Sequence, residues 1–374
     1  MAYQNVGTPR FFIDNYMYLR ALGLDTEEYI NQTEDINDPS FPNSYMISPL
    51  TNENIFTLSP ELGKPLQREA GGMRLFIPCG NLSGIDFSGN MKWYGAMLNH
   101  NLGDCDVRIQ NVMFHEAVIQ DAEYFIADPQ EIGILNAGNY VTSSTIENGS
   151  SIWYSDLTPE NHRYTGFGVT ADSGGGSLEN FEVGAISMGV MYTMPRSPDL
   201  SMSMEIEFDG YNETKTIGGS TLTNIVQTGA PVWANNNKYN SPFSVGDFSD
   251  NKYLGGAKRN GRRSWNLKFS YISDSDIFAS NYMNTNHATT ITDYDSGDTD
   301  EENQFEYNMF IDDSFMAQVW NKTLGGALPF IFQPDSNNDN PDQFCIAKFD
   351  MDTLNIKQVA FKTYNIALKI YEVW

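Results

Sequence analysis

Cysteine is scarce in this chain: Cys79, Cys105 and Cys345 are spread over 374 residues. An odd number at such separations builds neither a disulfide framework nor a metal knuckle, so reduced thiols are expected. Histidine is nearly as rare, and no two of His100, His115, His162 and His287 stand at ligand spacing. Basic residues number 22 against 48 acidic ones, for a net charge of −26. That balance excludes the broad cationic footprint that phosphate backbones require, so specific nucleic-acid binding is not expected. A surface this acidic repels DNA, which suits a conduit through which DNA slides without sticking. Solubility, or a salty habitat, explains the same charge more plainly, and both readings stay open. No apolar run approaches the roughly 18 residues of a spanning helix. The N-terminal MAYQNVGTPRFFID lacks the basic-then-apolar layout of a signal peptide, so a soluble, cytoplasmically made chain with no membrane partner is expected.

What is present supports a globular protein. Hydrophobic content of 40% and aromatic content of 13% suffice for a sizeable core, and the length suggests two domains. Residues 1–70 show little strand alternation. NYMYLRALG reads as a short helix stopped by Gly23, and EDINDPSFPNSYMISPLTNEN reads as extended chain. An extended arm, laid over its own body or over a neighbouring subunit, is the expectation for this segment.

From Met73 the signal turns to β. MRLFIPCG, MKWYGAMLN, DVRIQNVMF and FEVGAISMGVMYTM are apolar runs bounded by Gly, Asn and Pro. Residues 71–198 therefore read as a jelly-roll-like β-sandwich. In residues 199–374 the alternation is cleaner. Met202, Met204, Ile206 and Phe208 alternate with polar residues. Trp265, Leu267, Phe269 and Tyr271 do the same, as do Tyr364, Ile366, Leu368 and Ile370. One helix is expected near 313–324, capped by Asp312 or Asp313 and stopped by Gly325 and Gly326, with Phe315 and Val319 on one face. The fold class is all-β: a jelly roll followed by a second sandwich with one flanking helix.

Candidates for chemistry are few. His100, Asp104, Cys105 and Asp106 fall in NHNLGDCD, whose Asn, Gly and Asp residues supply turn geometry. A structural histidine is preferred there over a ligand. Asp293, Asp295, Asp298 and Asp300 in TDYDSGDTDEEN offer hard oxygens for calcium, but the glycine comes too early for an EF-hand. A solvated loop tip is preferred, and no cofactor is expected. GFGVTA matches a dinucleotide fingerprint on paper, yet it runs into DSGGG where a helix should begin. No nucleophile elbow or phosphate-binding loop occurs, and nothing argues for an enzyme. Lys258, Arg259, Arg262 and Arg263 form a basic turn in an acidic chain, suited to the acidic face of another copy or to nothing more than relief of local repulsion, with a polyanion site as a third, weaker reading. Trp93, Tyr94, Trp153 and Tyr154 are candidate sugar-stacking residues, with burial in the core as the competing reading.

The order AMLNHNL, FEVGAISMG, GRRSWNLKFSYISDSD, GGALPFIFQPD and YNIALKIYEV resembles a group of virion structural proteins of tailed phages. The resemblance covers residues 70–374. It implies a galactose-binding-like sandwich around the histidine motif, then a tail-tube or distal-tail fold that assembles into rings. It also implies localisation to the virion after assembly in the host cytoplasm. The expected function is a non-enzymatic, ring-forming connector at the tube end or baseplate, with copies of itself and other virion proteins as partners. The alternative is a carbohydrate- or receptor-binding module whose partner is a host glycan.

Overall fold

The computed structural model of the chain describes residues 6–22, 66–68, 73–78, 91–100, 107–120, 123–134, 149–155, 164–171, 181–207, 211–225, 261–278, 313–338 and 343–373. These residues are mostly strand, and the fold is all-β with sandwich character. Strands are numbered in chain order. One antiparallel sheet holds eleven of them. Its path runs from β10 (Ser203–Glu207) through β13 (Arg262–Ser273), β17 (Thr363–Glu372), β15 (Cys345–Phe349) and β14 (Phe330–Gln333) to β1 (Arg10–Asp14). It continues through β9 (Phe181–Thr193) and β4 (Met91–His100) to β7 (Gly149–Ser155). Off this path, β16 (Ile356–Ala360) pairs with β17, and β2 (Leu66–Arg68) pairs with β9. A four-stranded sheet has the order β3 (Met73–Pro78), β8 (Tyr164–Ala171), β5 (Val107–Gln120), β6 (Glu123–Ile134). A separate hairpin joins β11 (Tyr211–Lys215) to β12 (Thr221–Ile225).

The large sheet crosses the expected boundary at residue 198 without a break. Strand β1, from the segment expected as an arm, sits in the middle of the sheet between β14 and β9. Its sequence explains the position. Phe11, Phe12 and Ile13 form an apolar run with no wet face, as a strand buried on both sides requires. Phe11 and Ile13 join one core with Trp93, Tyr192, Trp265, Phe332 and Leu368. Phe12 joins a second core on the opposite face with Tyr94, Ile331 and Phe344. Helix Asn15–Ala21 follows directly, and Asp14 accepts the Met17 N–H at 3.0 Å to satisfy one donor of its first turn.

The first core is closed from above by two short helical pieces. Asp274–Ile277 buries Ile277, and its Asp276 carbonyl accepts a hydrogen bond from the Tyr192 hydroxyl at 3.1 Å. The π-helical segment Met316–Asn321 buries Met316, Ala317 and Val319, and Phe315 packs beside them on the Phe11 and Tyr192 rings. In the first turn Ser314 Oγ accepts the Ala317 N–H at 3.3 Å; of the two expected caps Asp313 is exposed and Asp312 lies outside the described residues. The stop comes earlier than expected: the helical segment ends at Asn321, and the turn beyond it takes left-handed φ at Leu324 (52°), Gly325 (66°) and Gly326 (98°).

Alternation holds in β13 and β17, which have neighbours on both edges and one dry face. Trp265, Leu267 and Phe269 are buried, as are Tyr364, Ile366, Leu368 and Ile370. Two expectations require correction. The pairing of β13 with β17 shifts between Phe269 and Ile272, so an extra residue reverses the phase. Ile272 takes the core position, and Tyr271 turns outward with φ 60° and its N–H on Asn365 Oδ1 at 3.0 Å. In β10, Met204 and Ile206 stand opposite the inward Trp265 and Arg263 yet remain 52% and 47% exposed. Among the described residues the strand lies at the sheet's end, so its inward side chains overhang the core.

Candidate interaction surface

The residues expected to stack on sugar do not form a surface site. Trp93 and Tyr94 are 1% and 0% exposed in the interior of β4, which has a pairing strand on each edge. The expectation that they contact sugar is therefore corrected to a core role for both. Tyr94 donates to or accepts from Ser187 Oγ at 2.6 Å. Its hydroxyl pKa is raised well above the usual 10.0, first by burial and then by the nearby Asp14 carboxylate, while the Ser187 bond partly opposes the shift. Tyr154 is half-buried beneath Lys92, whose Nζ lies 5.0 Å from the ring centroid. The side chain of Trp153 lies outside the described residues.

The basic turn divides likewise. Arg263 is 6% exposed and is no docking residue of the folded subunit. Its Nε and Nη2 donate to the buried Glu372 carboxylate at 3.3 Å each, and its backbone N–H donates to the same carboxylate at 3.0 Å. Nη2 also donates to the Phe344 carbonyl at 3.2 Å, and the guanidinium lies 5.1 Å from the Trp265 ring centroid. This is a clasp between the start of β13 and the end of β17. Arg262, one residue earlier, points to the other face and is half-buried. Lys258, Arg259, Asp293, Asp295, Asp298 and Asp300 lie outside the described residues. His100 is the last residue of β4, paired with Gly149 and Val183, so it ends a strand and is not within a turn. GFGVTA falls inside β8, not at a helix start. Among the described residues, no cluster of three His, Cys, Asp or Glu side chains could hold a metal ion, and no helix is long and apolar enough to cross a membrane.

What the sequence reading missed is the hairpin. Residues 212–224 are exposed throughout except Thr216 at the turn. The turn is well made: Thr216 N–H donates to the Ser220 carbonyl at 2.8 Å, Gly219 N–H to the Thr216 carbonyl at 2.9 Å, and Ser220 N–H to Thr216 Oγ1 at 3.1 Å. Gly219 takes the φ of 84° that such a turn demands. Yet Ile217 is fully exposed at the tip and Leu222 is 60% exposed. Among the described residues the two strands pair with each other alone and nothing covers Ile217 or Leu222, and a two-stranded hairpin without a packing face is marginal in water. Among the described residues β10 ends the sheet, with the exposed Met204 and Ile206 beside its outer edge. A signal for the hairpin was legible: two short runs with strand-forming Tyr, Thr and Ile, YNETK and TLTNI, flank a Gly-Gly turn.

No protein-family model matches the chain, and no curated protein matches it.

Proposed function

We propose that this chain is a non-enzymatic virion structural protein of a tailed phage, a ring-forming connector at the tube end or baseplate. The observation that carries the assembly part of this reading is the exposed β11–β12 hairpin. Among the described residues its strands pair only with each other, and its apolar residues, Ile217 and Leu222, find no cover. A neighbouring copy supplies the missing face, and the edge of β10 that no described strand pairs supplies a second point of attachment. The position in a phage tail rests on the likeness of the sequence pieces, to which the all-β fold and the helix Pro-Phe-Ile-Phe strand succession add support. Burial of Trp93 and Tyr94 removes two of the four residues on which the sugar-binding alternative stood.

The test is negative-stain microscopy with mass photometry at micromolar concentration, on the wild type and on Ile217→Glu/Leu222→Glu. Rings with a central hole in the wild type are expected, with loss of rings and unchanged thermal unfolding in the variant. A wild type that stays monomeric, or a variant that still forms rings, sinks the assembly role of the hairpin.

A further inference from the structure

We infer that the outer face of the β10–β13–β17–β15 quartet is a two-fold docking surface for a second copy of this chain. The geometry is set by the inner face. Trp265, Leu267 and Phe269 on β13 and Ile366, Leu368 and Ile370 on β17 point into the core. The intervening Ser264, Asn266, Lys268, Ala367, Lys369 and Tyr371 therefore project from the opposite face.

One row across this face is polarised. Glu205 on β10 pairs with Ser264, Ser264 pairs with Tyr371, and Tyr371 pairs with Lys348 on β15. The row thus reads acid, small, large, base. Its ends are three strand spacings apart, about 14 Å at about 4.8 Å each, too far to pair within one subunit. Among the described residues neither Glu205 nor Lys348 has an ion-pair partner. A two-fold axis parallel to the strands and midway between β13 and β17 exchanges the two halves of the row. Glu205 then meets Lys348 of the second copy, and Tyr371 lies over its Ser264, at both ends of the contact.

Adjacent rows obey the same exchange without juxtaposing like charges. Lys369 is registered with Asn266, and Lys268 with Ala367, so each cation falls on a neutral residue of the other copy. Lys369 is also neutralised in its own chain by Asp350 at 3.0 Å. Four strands and about ten residues give roughly 600 Å2 per copy, or roughly 1,200 Å2 in all, the lower bound for a specific interface.

The inference shares with the proposed function only the premise of self-association, and it concerns a different surface. It is therefore tested by sedimentation velocity in the ring-blocking Ile217→Glu/Leu222→Glu background. Dimers are expected there. Glu205→Lys alone and Lys348→Glu alone should each weaken them about tenfold or more, because each creates two like-charge contacts per dimer. The combined charge swap, and an equimolar mixture of the two single variants, should restore them. Monomers in this background, dimers indifferent to either single change, or no rescue by the swap overturns the inference. If the wild type still forms rings while this background is monomeric, the face falls and the ring reading stands. If the wild type shows neither rings nor dimers, both fall. DNA retention that Lys348→Glu abolishes with no change in mass assigns the face to a polyanion and overturns the dimer.

Discussion

Arg263 offers a test in which folding and assembly give opposite answers. Its side chain is 7% exposed and that of Glu372 is 1% exposed, and the pair shares two side-chain hydrogen bonds at 3.3 Å. Truncation to alanine removes the cation and leaves the carboxylate in the interior, held by the residue 263 backbone N–H alone among these contacts. Breaking a buried pair in this way costs about 3–5 kcal/mol, a large fraction of the roughly 5–15 kcal/mol that stabilises a typical domain. The packing over Trp265 is lost as well. Replacing both members, as in Arg263→Met/Glu372→Leu, removes the isolated charge. What remains is the loss of the bond from the residue 263 N–H and of the bond to the Phe344 carbonyl, at about 1 kcal/mol each. The double variant should therefore sit about 1–3 kcal/mol above Arg263→Ala in stability. The measurement is equilibrium urea unfolding, read as the shift in midpoint at constant slope. An Arg263→Ala variant within about 1 kcal/mol of the wild type would refute the clasp, as would strict additivity of the two single changes. The same data decide how any assembly defect at position 263 is read. Loss of rings accompanied by a fallen midpoint reports unfolding, not a broken interface.

Gly189 is wedged against the end of β1, where an added Cβ would collide with the Ile13 carbonyl oxygen. Gly189→Ala should therefore cost about 1–3 kcal/mol in the same unfolding assay, and an unchanged midpoint would contradict the close approach. Tyr94 binds its proton more tightly folded than unfolded, so its contribution to stability is complete below pH of about 10 and is lost as pH rises through the raised folded value. Tyr94→Phe should cost about 1 kcal/mol at neutral pH by orphaning Ser187, and should flatten the alkaline decline; an identical decline would exclude Tyr94 as its source. At Tyr271 the φ of 60° favours glycine, so Tyr271→Gly should raise stability by about 1 kcal/mol, and a loss would mean that the exposed ring makes contacts that outweigh the backbone strain.

The all-β class was legible because interior strands with one dry face obey a period of two, as β17 does from Tyr364 to Ile370. Where that condition fails, so did the sequence reading. MKWYGA lies in a strand with dry positions on both faces, so no alternation marked Trp93 and Tyr94 as core, and aromatic chemistry suggested a surface role instead. At Tyr271 the bulge shifted the phase by one, an event set by pairing with β17 and not written within SYIS. For β10 the alternation was real, but whether a neighbour lies beyond an edge is a property of the whole sheet. Arg263 is the instructive case, because the information was present. It shares parity with Trp265, Leu267 and Phe269, and Arg262 does not. A guanidinium in phase with a dry face must meet a counter-charge in phase with the facing dry strand. In the last strand Glu372 alone extends the series Ile366, Leu368, Ile370 in step. Pairing Ser264 with Tyr371 then brings residues 263 and 372 side by side on the inner face. Parity within a strand, applied to charged residues as strictly as to apolar ones, separates the arginine that holds the sheet together from the one beside it on the outer face.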